Sequence, residues 1–144
     1  MITYIEENTW QTTLTNIVIC VMMFIEVRSV GGRISSDLIR GHIDTMILRV
    51  LYENDNYGYE IMKAIYRNSD ENYDLKEPSL YTSLKRLESQ KMISSYWGDE
   101  SQGGRRKYYK ITPLGLKAYH SAVEEWNIAR DLIDKLIKGG NCNE

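Results

Sequence analysis

The stretch Gly103-Gly104-Arg105-Arg106-Lys107-Tyr108-Tyr109-Lys110-Ile111-Thr112-Pro113 decides the fold. Its glycines open a run of β-formers, and Thr112-Pro113 closes that run with a helix cap and a first-turn proline. Ile93 to Trp97 is a matching short run upstream. Between the two, Gly98 to Gly104 holds three glycines among polar residues, so the pair predicts a β-hairpin with a flexible tip. Alternation along the second strand puts Arg106, Tyr108 and Lys110 on one side, and Arg105, Lys107 and Tyr109 on the other. Clustered cations on a protruding element suit neutralisation of phosphates, and the glycine pair lets the backbone approach a duplex closely. A solvated basic hairpin is the plainer reading of the same residues.

Upstream the period is helical. Ile39, Ile43, Met46, Ile47, Val50 and Leu51 recur at helix spacing, with Ser35, Ser36 and Asp37 as candidate caps in front. Asn54 to Tyr57 is a polar break. Gly58 to Asn68 reads as a second helix with Ile61, Ala64 and Ile65 on one face, followed by an acidic loop over Ser69 to Glu77. Pro78 suits the first turn of a third helix, in which Leu80, Tyr81, Leu84 and Leu87 run inward until about Lys91. Downstream of the hairpin, Tyr119, Val123, Trp126, Ile133, Leu136 and Ile137 mark a last helix reaching about Lys138. At 1.5 Å per residue its roughly 26 residues span about 39 Å.

Three helices followed by a hairpin is the order of a winged helix-turn-helix. The fold expected is mainly α: three helices plus a β-hairpin wing, with a long C-terminal dimerisation helix. The third helix would lie in a major groove. Its outward face offers Ser79, Thr82, Ser83, Lys85 and Arg86, and Tyr81 divides between core and phosphate contact. Trp97 is expected to pack the wing against the helices. The last helix is apolar along one stripe that so small a domain cannot cover alone, which points to a two-fold dimer.

Composition supports this reading only indirectly. Lys plus Arg number 18 against 20 for Asp plus Glu, a formal charge of −2, so any nucleic-acid function must come from local clustering. With 42% apolar and 26% charged residues, the 144-residue chain is an ordinary globular domain, not a disordered or low-complexity one. Cys20 and Cys142 stand far apart and outside metal-ligand spacing, as in a reduced cytoplasmic protein. His42 and His120 lack ligand partners, so no cofactor or metal is expected. No phosphate loop or nucleophile elbow appears, and Glu124-Glu125 with Asp131 and Asp134 read as a polar helix face; the protein is not read as an enzyme. A winged helix used purely for protein contacts, without DNA, is the alternative, although it would not need four cations in the wing.

Residues 1–34 form an N-terminal extension. Its apolar run, Ile17 to Phe24, ends at Glu26 and Arg28, well short of the roughly 20 residues a membrane span needs. No Lys or Arg precedes Arg28, unlike a signal peptide. The segment is either an accessory helix that packs on a partner surface or lies upstream of a translational start near Ile34. Residues 35–112 would then be the DNA-binding unit, 113–139 the dimerisation helix and 140–144 a tail.

The segment from Ser35 to about Gly139 resembles the PadR family of bacterial transcriptional regulators. Three motifs carry the resemblance: Tyr57-Gly58-Tyr59-Glu60-Ile61; Ser79-Leu80-Tyr81 with Leu84, Arg86 and Leu87; and Gly103 to Tyr109 with Ile111-Thr112 and Gly115. The run from Ile93 through Tyr109 is similar to that of the family's multidrug-sensing repressor members. The resemblance implies a homodimer that binds double-stranded operator DNA and represses a neighbouring operon until a small molecule releases it. Position by position, it implies DNA contacts from Ser79, Tyr81, Thr82, Lys85 and Arg86, and from Arg105, Arg106 and Lys107 in the wing. Trp126 matches a tryptophan that stacks on a planar aromatic effector in the multidrug sensor, with Tyr119, Val123 and Arg130 on the same helix. Val123 stands where that sensor has an aromatic, and Arg130 where it has a carboxylate. Packing in a dimer seam is the plainer role for Trp126.

Overall fold

The computed structural model describes residues 34–99 and 104–139. The expectations for the N-terminal run, the hairpin tip, the tail and both cysteines lie outside them. The described elements are α1 (Ser36–Arg40), α2 (Ile43–Glu53), β1 (Asn56–Tyr57), α3 (Gly58–Asn68), α4 (Glu77–Ser89), β2 (Ile93–Trp97), β3 (Lys107–Ile111) and α5 (Pro113–Lys138).

Helix α1 starts under a cap in which Ser35 Oγ accepts from the Asp37 N–H at 3.3 Å. The single first helix expected from the periodicity is two pieces, because the turn tightens at Gly41-His42, where the His42 N–H reaches back only to the Ile39 carbonyl at 2.8 Å. Glycine is the weakest non-proline helix former, and α1 buries nothing that would hold it in line. Past the break α2 turns Ile43, Ile47, Leu48, Val50 and Leu51 inward. They meet Ile61 and Ile65 of α3, Leu80, Leu84 and Leu87 of α4, and Ile93 and Tyr109 from the sheet. Leu75 joins this core from the acidic loop and anchors it.

The sheet has three strands, not two. β1 pairs antiparallel with β3 through Asn56↔Tyr109 and Tyr57↔Tyr108, giving the order β1-β3-β2. The expected polar break therefore holds a strand, and two residues are too few to show a period. β2 and β3 pair from Ile93↔Ile111 to Trp97↔Lys107.

Two carboxylates fix α4 in place. Asp44 of α2 accepts from Arg86 Nε at 2.9 Å and from Nη2 at 2.6 Å, a planar fork. Two residues further on, in the same last turn, Glu88 accepts from the Ser95 hydroxyl of β2 and from Lys107 Nζ of β3 at 3.3 Å. Helix α4 and the hairpin are thus tied through one side chain.

Helix α5 is seated by its first turn. Thr112 Oγ1 donates toward the Lys91 and Met92 carbonyls at the α4–β2 turn, and accepts from the Gly115 N–H at 3.1 Å. A Cβ on Gly115 would fall 1.9 Å from the Met92 carbonyl oxygen. Ala118 and Tyr119 still pack on the core. Past Trp126 the apolar residues are bare, with Ile128, Leu132, Ile133, Leu136 and Ile137 all exposed.

Gly115→Ala is expected to lower unfolding stability by about 3 kcal/mol or more, the upper range for an overpacked site, read as a lower urea midpoint. An unchanged midpoint would mean that α5 shifts without strain. Glu88 gives a pH-dependent counterpart. First the Ser95 hydroxyl and then Lys107 hold its carboxyl below the usual value near 4.5. The stabilisation is therefore present above about pH 4.5 and is lost as pH falls through the depressed value. Glu88→Gln should cost no more than about 1 kcal/mol at neutral pH, because the pair is partly solvated. The difference from wild type should close in acid; a gap that persists there would assign the loss to packing.

Candidate nucleic-acid interface

Helix α4 begins at Glu77 with Pro78 in its first turn, so the residues behind it emerge in fixed register. Ser79, Tyr81, Thr82, Lys85 and Arg86 are exposed. Ser83 is not: it is 3% exposed and its Oγ accepts from Arg86 Nη2 at 3.1 Å, because the inward face of α4 is wider than the leucine spacing suggests. Thr82 donates its hydroxyl to the Pro78 carbonyl at 2.7 Å, which leaves its oxygen outward as an acceptor. Arg86 is committed to Asp44, whose hydrogen bond and charge push its pKa further up.

In the wing the predicted alternation is realised: Tyr109 is buried, with Lys107 Nζ 5.4 Å from its ring centre. Arg105 lies over the Trp97 ring at 5.1 Å and Arg106 over the Tyr57 ring at 4.6 Å. Trp97 does not pack the wing on the helices. It is 55% exposed, since the outermost rung of the hairpin has no helix beneath it.

A cavity of about 180 Å³ opens where the elements converge, lined by Tyr57, Gly58, Tyr81, Arg106, Lys107 and Tyr109. Tyr81 is half core and half surface here: its hydroxyl overhangs the start of α3, where a Cβ on Gly58 would meet it at 2.8 Å. Helix α4, the wing and the start of α3 therefore bring cations and hydroxyls together around one opening, groups of the kind that hold a polyanion.

The expected ligand residues on α5 do not form one cluster within this chain. Tyr119 stacks on Tyr52 at 5.7 Å, Val123 is exposed, Trp126 meets the His42 ring edge-on at 4.8 Å, and Arg130 turns onto Asp131 at 3.1 Å. Sequence reasoning missed Asp44 and Glu88 as partners of the cations, and Tyr57 and His42 as aromatic partners. Only the basic charges they face hinted at the first two. Among the described residues no cluster of His, Cys, Asp or Glu could hold a metal ion. No described helix is long and apolar enough to cross a membrane.

Comparison with known proteins agrees with this architecture. Residues 47–121, just over half of the chain, match the transcriptional regulator PadR-like family. Protein X of Lysinibacillus sphaericus is 47% identical over 106 residues, which are 74% of this chain and 97% of that protein. A transcriptional regulator from Clostridium thermocellum superposes with a TM-score of 0.68 at 49% identity, covering 72% of this chain and 98% of that one. A PadR family transcription regulator from Clostridium difficile gives a TM-score of 0.59 at 36% identity, covering 67% and 98%. The family consists of regulators and not enzymes, and the winged-helix fold with its long C-terminal helix is common to it. The chain belongs to the PadR-like family of transcriptional regulators.

Proposed function

We propose that the protein is a homodimeric repressor that acts in the cytoplasm on double-stranded operator DNA and is released by a planar aromatic effector. Residues 35–112 form its DNA-binding unit and 113–139 its dimerisation helix. The observation that carries the reading is the convergence of α4, the wing and the start of α3 on one cationic face. Each protomer sets α4 in a major groove, the two half-sites lying about one helical turn apart. Ser79, Thr82 and Lys85 meet base edges and flanking phosphates, Tyr81 meets a phosphate, and Arg105 and Arg106 hold the backbone beside the groove. Arg86 and Lys107 border that face from their carboxylates and orient α4 and the wing against it.

The bare stripe of α5 supports dimerisation. With two α5 helices facing each other, Trp126 and its mate would make parallel walls for a flat ligand, with Val123 and Tyr119 one and two turns earlier. Arg130 at the rim favours neutral or anionic aromatics, although its exposed pairing with Asp131 moderates that preference.

The double variant Arg105→Ala with Arg106→Ala should bind every duplex more weakly. Its slope of log affinity against log salt should fall by about 1.8, at about 0.9 per phosphate contact. Unchanged affinity and slope would remove the wing from the interface, whereas Ser79 and Lys85 variants should alter sequence preference. For the effector, tryptophan quenching by an anionic naphthalene sulfonate should exceed that by ethidium and should disappear in Trp126→Phe. Tighter binding of the cation, or full quenching in the variant, would defeat the assignment.

A further inference from the structure

One rung of the sheet is tyrosine on all three strands. Tyr57 of β1 and Tyr96 of β2 both pair with Tyr108 of β3, one from either side. Directly opposed residues share a face of the sheet, so the three rings form a row. Tyr96 and Tyr108 are stacked at 5.6 Å with 14° between planes, and Tyr57 meets Tyr108 edge-on at 5.5 Å and 72°. Both ends of the row are tied. Tyr96 donates its hydroxyl to Asp55 Oδ2 at 2.9 Å. Tyr57 donates to Glu60 Oε1 at 3.4 Å, an oxygen that also accepts from Lys63. Gly98 leaves room for the Tyr108 ring, which a Cβ there would meet at 2.5 Å.

Arg106 sits two residues before Tyr108 and therefore on the same face. Its guanidinium carbon lies 4.6 Å from the Tyr57 ring centre, and Nη1 donates to the Tyr57 hydroxyl at 3.2 Å. The chain of donors runs one way, from Arg106 through Tyr57 to Glu60. It occupies one of the five guanidinium N–H groups and leaves four for a ligand.

We propose that Tyr57 is a positioning residue for DNA binding: backed by Tyr108, Tyr96 and Asp55, it holds the Arg106 side chain in place before a duplex arrives. The inference rests on reading Arg106 as a backbone-phosphate contact. A free arginine loses its rotamer freedom when it binds, whereas one already ordered on a ring has lost that freedom on folding.

The test is a double-mutant cycle on the full-length protein, with anisotropy of a fluorescein-labelled mixed-sequence duplex as the readout. Arg106→Ala and Tyr57→Leu should each weaken binding about three- to tenfold, the scale for immobilising one rotamer-rich side chain. The double variant should bind no more weakly than Arg106→Ala alone, and Tyr57→Phe, which keeps the ring but loses the hydroxyl that accepts from Arg106, should fall between wild type and Tyr57→Leu. Additive losses, or wild-type binding by Tyr57→Leu beside a weakened Arg106→Ala, would overturn the inference. Wild-type binding by Arg106→Ala would overturn it together with the phosphate contact on which it rests. If Tyr57→Leu is unfolded by circular dichroism, Tyr57→Phe decides: it must bind more weakly than wild type only where Arg106 is present, and equality with wild type refutes the role.

Discussion

The contact between the first turn of α5 and the α4–β2 turn constrains everything around it. Thr112 closes hydrogen bonds to two carbonyls of that turn while capping α5, and Gly115 lets the helix backbone come within reach of Met92. The wing begins and ends at this point, since Ile93 and Ile111 pair immediately beside it. Helix α4 ends there as well. Three elements with different roles thus share one small backbone junction, and none can be re-aimed without moving the others. Buried backbone groups allow few arrangements of so tight a contact, because each donor and acceptor needs a partner.

Charge is sorted on top of this frame. A chain with net charge −2 still gathers the cations Arg105, Arg106 and Lys107 on one hairpin strand and its approach. Asp44 and Glu88 hold Arg86 and Lys107 from within, and aromatic rings carry Arg105 and Arg106 without neutralising them. Some cations thereby give rigidity and others remain available to a polyanion. Total charge records none of this, since it counts each residue once wherever it points.

Much of the fold was legible because its signals are periodic or local. The leucines of α4, the twenty-six residues of α5 and the Thr112-Pro113 start all stand in the structure where spacing and capping put them. Alternation correctly divided Arg106 from Lys107 in the wing. What escaped were features without a period: a two-residue strand, a helix interrupted at one glycine, and a serine on the edge of a buried helix face. The partners of the cations escaped for a related reason. Asp44 and Arg86 are 42 positions apart, and Arg106 and Tyr57 are 49 apart, pairings created only when the chain folds back on itself. Trp97 misled because a tryptophan beside a core is usually inside it, whereas here the strand had already passed the last helix.

The length of α5 has a mechanical meaning. A helix of 26 residues is a stiff rod about 39 Å long, clamped at one end to the wing junction and free of the core along its far half. It works as a lever. A tilt of about 5° about the distal end swings the clamped end by about 3 Å, as far as a hydrogen bond reaches. A displacement that leaves the exposed stripe around Ile133 and Ile137 almost unmoved is therefore large enough to shift the end of α4 by the length of a hydrogen bond.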